Sequence, residues 1–111
     1  MKLVSLNVWG GMQFDPLMAF VRQYAPSTDI FCFQEVFDTI TDRKSYGEKK
    51  ICRANLLAEL AFALPAFTSY FIAQHADYVF VSPGIEVKSF AVPNVAASDH
   101  LSMFLEFTPT P

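Results

Sequence analysis

At 111 residues the chain has the length of one domain, and a chain of that size buries roughly two thirds of its unfolded surface. Hydrophobic residues at 52% and charged residues at 17% argue against a disordered chain and leave few charges to spread over the surface. A net charge of -3 excludes general attraction to nucleic acid, so a phosphate-bearing ligand has to be held by local groups or through a bound cation.

Lys2 to Val8 is a mostly apolar run that suits a buried strand, and Gly10-Gly11 breaks it. Phe14, Leu17, Met18, Val21 and Tyr24 then fall at helical spacing, with Asp15 as N-cap, Pro16 at the first helical position and Pro26 stopping the run. Asp29 to Phe33 gives a second buried strand, which makes a βαβ-like start, and the polar stretch Asp38 to Lys50 reads as an exposed loop. Ala54, Leu57, Ala58, Ala61 and Leu64 mark a second helix ended by Pro65. Leu56, Leu60 and Phe62 make it apolar nearly all round, so it should be well covered.

The second half is β in character: Phe67 to Ile72, Tyr78 to Val81, a Pro83-Gly84 turn, Glu86 to Val92 and Leu101 to Phe107. In the last strand Leu101, Met103, Leu105 and Phe107 share one face, with Phe104 on the other beside Ser102 and Glu106. The closing Thr108-Pro109-Thr110-Pro111 reads as a frayed tail. Cys32 and Cys52 have neither metal-ligand nor redox spacing, and no apolar run approaches membrane-spanning length, so the expectation is a soluble, unexported, cytoplasmic chain with free thiols.

Short polar signatures stand where strands begin or end. Asn7 follows Leu3-Val4-Ser5-Leu6, Gln34-Glu35 follows Asp29-Ile30-Phe31-Cys32-Phe33, Asp77 precedes Tyr78-Val79-Phe80-Val81-Ser82, and Ser98-Asp99-His100 precedes Leu101 to Leu105. Strands can hold a few oxygen and nitrogen atoms rigidly around one point, as metal-assisted chemistry on a phosphate requires.

In kind and in order, these four segments resemble the endonuclease/exonuclease/phosphatase superfamily of metal-dependent phosphodiesterases and phosphatases. The resemblance covers two blocks of a single abbreviated domain spanning residues 1–111, the first from Met1 to about Gln74 and the second from about His75 to Phe107. It implies an α/β (α+β) fold, an αββα-type sandwich that is truncated, with two helices in the first half and a strand meander in the second. Family members are more than twice this length and carry an Asp-x-Asn motif between the two blocks. No such string occurs here, and His75 stands where an Arg is usual.

Carried over residue by residue, the resemblance implies Glu35 as the carboxylate ligand of Mg²⁺ or Mn²⁺, weakly held, with Asn7 beside it as ligand or phosphate contact. It implies His100 on the scissile phosphate, Asp77 orienting the His100 ring, and Asp99 at the metal or beside the attacking water. Both metal-site residues offer hard oxygen atoms, the type those cations prefer. A phosphate-ester substrate follows, nucleic acid among its classes, with impaired turnover because the Asp-x-Asn pair that positions water is missing.

Each residue also has a plainer reading. Asn7 can cap the Gly10-Gly11 turn, Glu35 can be an exposed carboxylate after a strand, Ser98-Asp99 a local turn, His100 a satisfied histidine at a strand start, Asp77 a turn residue and His75 an incidental one. Trp9 and the twelve Phe residues read as core rather than as a base-stacking platform, because no basic residues are interleaved with them. The alternative function is a non-catalytic fragment or interaction module that pairs with a partner or forms a homo-oligomer through exposed strand edges.

Overall fold

The computed structural model describes residues 1–36, 56–71, 77–92 and 103–110. Among them the chain runs β1 (Leu3–Asn7), α1 (Phe14–Tyr24), β2 (Ile30–Gln34), α2 (Leu56–Ala63), β3 (Thr68–Tyr70), β4 (Tyr78–Val81), β5 (Ile85–Ala91) and β6 (Phe104–Pro109). This is a mixed α/β chain with one four-stranded sheet, ordered β1-β2-β4-β3, and one two-stranded sheet, β5-β6. None of the described helices is long and apolar enough to cross a membrane.

Strand alternation decides the layering. In β2, Phe31 and Phe33 point to one face with Tyr78 and Phe80 of β4, where Leu17, Met18 and Val21 of α1 and Leu56 and Leu60 of α2 close over them. Ile30 of β2 and Val79 and Val81 of β4 point to the other face, against Val87 and Phe90 of β5 and Leu105 and Phe107 of β6. β2 and β4 are therefore apolar on both faces, and Ile30, Phe31 and Phe33 are fully buried. The described layers are helices, sheet and sheet.

The connections follow from pairing. β1 and β2 are parallel neighbours, Leu3 opposite Ile30 and Asn7 opposite Gln34, as a βαβ unit through α1 requires. β4 runs antiparallel between β2 and β3, with Phe33 opposite Tyr78 and Tyr70 opposite Val79, so the two halves of the chain close directly on one another. Asp29 ties the far end of this sheet. Its carboxylate accepts from the Lys2 backbone N–H at 2.7 Å, and its carbonyl accepts from the Ser82 N–H at 2.9 Å.

Four local expectations need correction. Gln13 rather than Asp15 stands at the start of α1; Asp15 and Pro16 fall within its first turn, where a carboxylate favours the helix dipole and proline lacks only an N–H that would be unpaired anyway. α2 is covered on one side only. Leu56 and Leu60 are buried, but Phe62 is 83% exposed, because α1 and the sheet take up one face of so short a helix. The tail is not frayed: β6 pairs through Pro109 opposite Ile85, and Thr110 donates its N–H to the Gly84 carbonyl at 2.8 Å and its hydroxyl to the Pro83 carbonyl at 3.1 Å. Finally, Trp9 and Phe71 are 43% and 44% exposed, so neither is a core residue.

The alternation expected for β6 holds for Met103, Leu105 and Phe107, which face the core, and for Phe104, which faces out. In β5 the pairing shifts between Val87 and Ser89, so Lys88 is the extra residue of a bulge. The shift of parity turns Phe90 inward after Val87, where it meets Tyr70 with ring centroids 5.7 Å apart.

Candidate functional site

The C-terminal ends of β1 and β2 and the N-terminal end of β4 lie side by side, and this single edge of the sheet collects three of the candidate residues. Asn7 ends β1 opposite Gln34. Glu35 is the next residue after β2. Asp77 immediately precedes β4, where Tyr78 pairs with Phe33.

Their local conformations are interlocked. Asn7 Oδ1 accepts the Trp9 backbone N–H at 2.8 Å, the short Asx turn that its plainer reading anticipated. The Val8 N–H reaches the Gln34 carbonyl at 2.9 Å and the Gly10 N–H reaches the Glu35 carbonyl at 3.0 Å, so the loop after β1 continues the β1–β2 pairing past the strand ends. Trp9, Gly10, Gly11 and Glu35 all have left-handed backbone, with φ of 53°, 61°, 77° and 60°. Glycine takes that conformation freely, whereas Trp9 and Glu35 are held in it at a cost of about 1 kcal/mol or more each.

Asp77 is 7% exposed, and its Oδ1 accepts the Glu35 backbone N–H at 3.3 Å. A carboxylate at the start of β4 thus fastens the turn that presents Glu35. This structural role is one that sequence reasoning did not assign to Asp77, because it depends on β2 and β4 being neighbours across a long sequence separation. Ser98, Asp99, His100 and His75 lie outside the described residues.

The donors at this edge are all oxygen: the Glu35 carboxylate, the Asn7 amide and the Asp77 carboxylate. They fit a hard divalent cation such as Mg²⁺ or Mn²⁺, which commonly takes one or two carboxylates and keeps several waters. Asn7 Oδ1 and Asp77 Oδ1 each already accept one backbone N–H, while the Glu35 carboxylate makes no hydrogen bond or ion pair among the described residues. Glu35 is therefore the ligand with the most to offer. Among the described residues no three His, Cys, Asp or Glu side chains converge.

Cys32, half-buried on the opposite face of β2 from the helices, is a free thiol whose burial pushes its pKa upward, which disfavours the reactive thiolate. The cations among the described residues stand elsewhere. Lys2 lies at the other end of β1 over the Tyr24 ring, Arg22 on α1, and Lys88 on β5, paired with Glu86 at 2.7 Å.

No protein-family model matches the chain, and neither a curated protein nor a solved structure matches it.

Proposed function

We propose that the chain is an abbreviated relative of the endonuclease/exonuclease/phosphatase superfamily and a weak Mg²⁺- or Mn²⁺-dependent hydrolase of phosphate esters. The observation that carries the reading is the meeting of Asn7, Glu35 and Asp77 at one sheet end. Glu35 binds the cation, which supplies Lewis-acid stabilisation of the phosphate. Asn7 and Asp77 hold the two turns that bring it into place. His100 and Asp99 keep the roles that the resemblance gives them, at the phosphate and beside the attacking water.

Hydrolysis of bis(4-nitrophenyl) phosphate in Mn²⁺ is the test, run with wild type, Glu35→Gln and His100→Ala. Slow, metal-dependent turnover lost in both variants is expected. Without the Asp-x-Asn pair the rate should lie at least about a hundredfold below that of a complete site, the usual cost of one well-placed general base. Turnover unchanged in Glu35→Gln would remove the metal site from the reading.

A second reading, a non-catalytic module completed by another copy, draws on β1. It is the outer strand of its sheet, and its Leu3-Val4-Ser5-Leu6-Asn7 carries no charge or proline to discourage edge pairing. Light scattering separates the readings, since self-pairing gives a mass of twice 12.5 kDa.

A further inference from the structure

Resting on the second reading, that β1 pairs with another copy, we propose the register of that pairing and its consequence: two chains join β1 to β1 antiparallel about a two-fold axis at Ser5, and the partner subunit closes the Asn7 and Trp9 side of the candidate site. The Lys2 carbonyl accepts the Ile30 N–H at 3.3 Å and the Val8 N–H donates to the Gln34 carbonyl at 2.9 Å, so the even-numbered residues of this stretch turn their backbone groups to β2. Strand alternation then turns the N–H and carbonyl groups of Leu3, Ser5 and Asn7 to the outer edge. An antiparallel partner exchanges both bonds only with residues that face it. Centring on Ser5 serves all three residues at once: Ser5 meets Ser5 of the partner subunit, and Leu3 meets Asn7 of the partner subunit.

The other outer strands are built against such pairing. Among the described residues β3 is three residues long, β5 carries the Lys88 bulge and the Glu86–Lys88 pair, and β6 carries Glu106 and ends in Pro109, each a feature that discourages an edge from pairing. β1 has none of them, and its neutral sequence sets no like charges face to face in the antiparallel register. Apolar surface is concentrated there too. Met1, Leu3 and Trp9 are 71%, 55% and 43% exposed, half of the large hydrophobics that stand open to water among the described residues.

In the dimer these residues cover one another. Leu3 packs beside Asn7 of the partner subunit, and the chain before it carries Met1 toward the indole of the partner subunit's Trp9, where a thioether meets an aromatic ring favourably. Two four-stranded sheets become one of eight strands, inside the usual range of up to about ten. The candidate site is then composite. On one side of Glu35 the second chain lines Asn7 and Trp9, and on the other side Asp77 belongs to its own chain alone.

Single cysteines placed in the full chain, with Cys32→Ala and Cys52→Ala as background, test the register. Cα atoms of a hydrogen-bonded pair stand about 5.5 Å apart, within disulfide range, so Ser5→Cys should oxidise to a covalent dimer. The two Leu3 residues lie four positions apart along the ladder, about 14 Å, so Leu3→Cys should cross-link at least about tenfold more slowly. In wild type the mass from light scattering should rise with concentration to twice 12.5 kDa, and the emission of Trp9, the sole tryptophan, should move to the blue over the same range. Leu3→Ser should raise the dissociation constant about tenfold or more, because the lost apolar contact enters twice. A mass of 12.5 kDa at every concentration sinks the second reading together with this inference. A doubled mass with Leu3→Cys linking as fast as Ser5→Cys, or with no link at Ser5→Cys, leaves that reading standing and overturns the register. A doubled mass with unmoved Trp9 emission, or an unchanged dissociation constant in Leu3→Ser, takes the partner subunit out of the site and overturns the proposal.

Discussion

Replacing Glu35 by glycine should make the protein more stable than replacing it by alanine. Both substitutions remove the same carboxylate, and both retain the backbone N–H that Asp77 Oδ1 accepts at 3.3 Å, so the comparison isolates the left-handed φ of 60°. An L-residue costs about 1–2 kcal/mol in that conformation and glycine almost nothing. Glycine gives back about 0.4–1 kcal/mol through the greater freedom of its unfolded chain. The net advantage of glycine over alanine is therefore about 0.5–1 kcal/mol. Unfolding entropy of about 2.1 cal/mol/K per residue, applied to 111 residues, converts this to a midpoint about 2–4 °C higher for the glycine variant. Thermal unfolding followed by far-ultraviolet circular dichroism measures it. A glycine variant that melts with or below the alanine variant would show that the turn is not strained. Calorimetric titration with Mn²⁺ should find binding reduced equally in both, which separates the ligand from the backbone that presents it.

Phe31→Ala should cost about 3–5 kcal/mol, as for large buried aromatics generally, because the ring is fully buried and stacked on Phe33 with centroids 5.2 Å apart; a urea midpoint close to wild type would contradict the core assignment. Glu59 Oε2 is buried with no hydrogen-bond partner among the described residues, so Glu59→Met should raise the unfolding free energy by about 1 kcal/mol, and a lower urea midpoint would count against that placement. The Cys32 thiol is raised above its ordinary 9.0, so the unfolded chain loses this proton first and the contribution to stability declines as pH rises past about 9; urea midpoints of wild type and Cys32→Ala should diverge there, and parallel curves would refute the burial. If β1 pairs edge to edge, Ser5→Lys should bring the mass in light scattering to 12.5 kDa, and an unchanged larger mass would point to another interface.

Strands with a strong period were legible from residues alone. Tyr78 to Val81 begins and ends as expected, because four β-favouring residues stand between Asp77 and Ser82-Pro83. α1 was equally clear, since its apolar stripe at 3.6 spacing has a single solution. The rest depended on partners distant in sequence. Thr108 and Pro109 look like loop residues until Glu86 and Ile85 lie opposite them. Phe62 looks like core until the short α2 has used its other face on α1 and the sheet. At the candidate site, Asn7 and Glu35 were legible as residue types, and their parallel neighbourhood followed from the βαβ start. The left-handed Glu35 and its tie to Asp77 were not, because a hydrogen bond across 42 positions leaves no local mark. The nearest available signal for Trp9 was the Gly10-Gly11 pair after it, which marks a turn too tight to carry an indole inward.

The place of β2 in the sheet has a consequence for how the chain leaves the ribosome. Both its neighbours are needed to cover it, and while β1 has already been made, Val81, the partner of Ile30, is translated about fifty residues later. At synthesis rates of about 5–20 residues per second this strand waits roughly 2–10 s with one edge, and the face away from α1, still open. Ile30-Phe31-Cys32-Phe33 carries no charge to protect it in that interval. Nascent-chain aggregation should accordingly depend on this segment more than on any other, and slowing synthesis lengthens the exposure rather than relieving it.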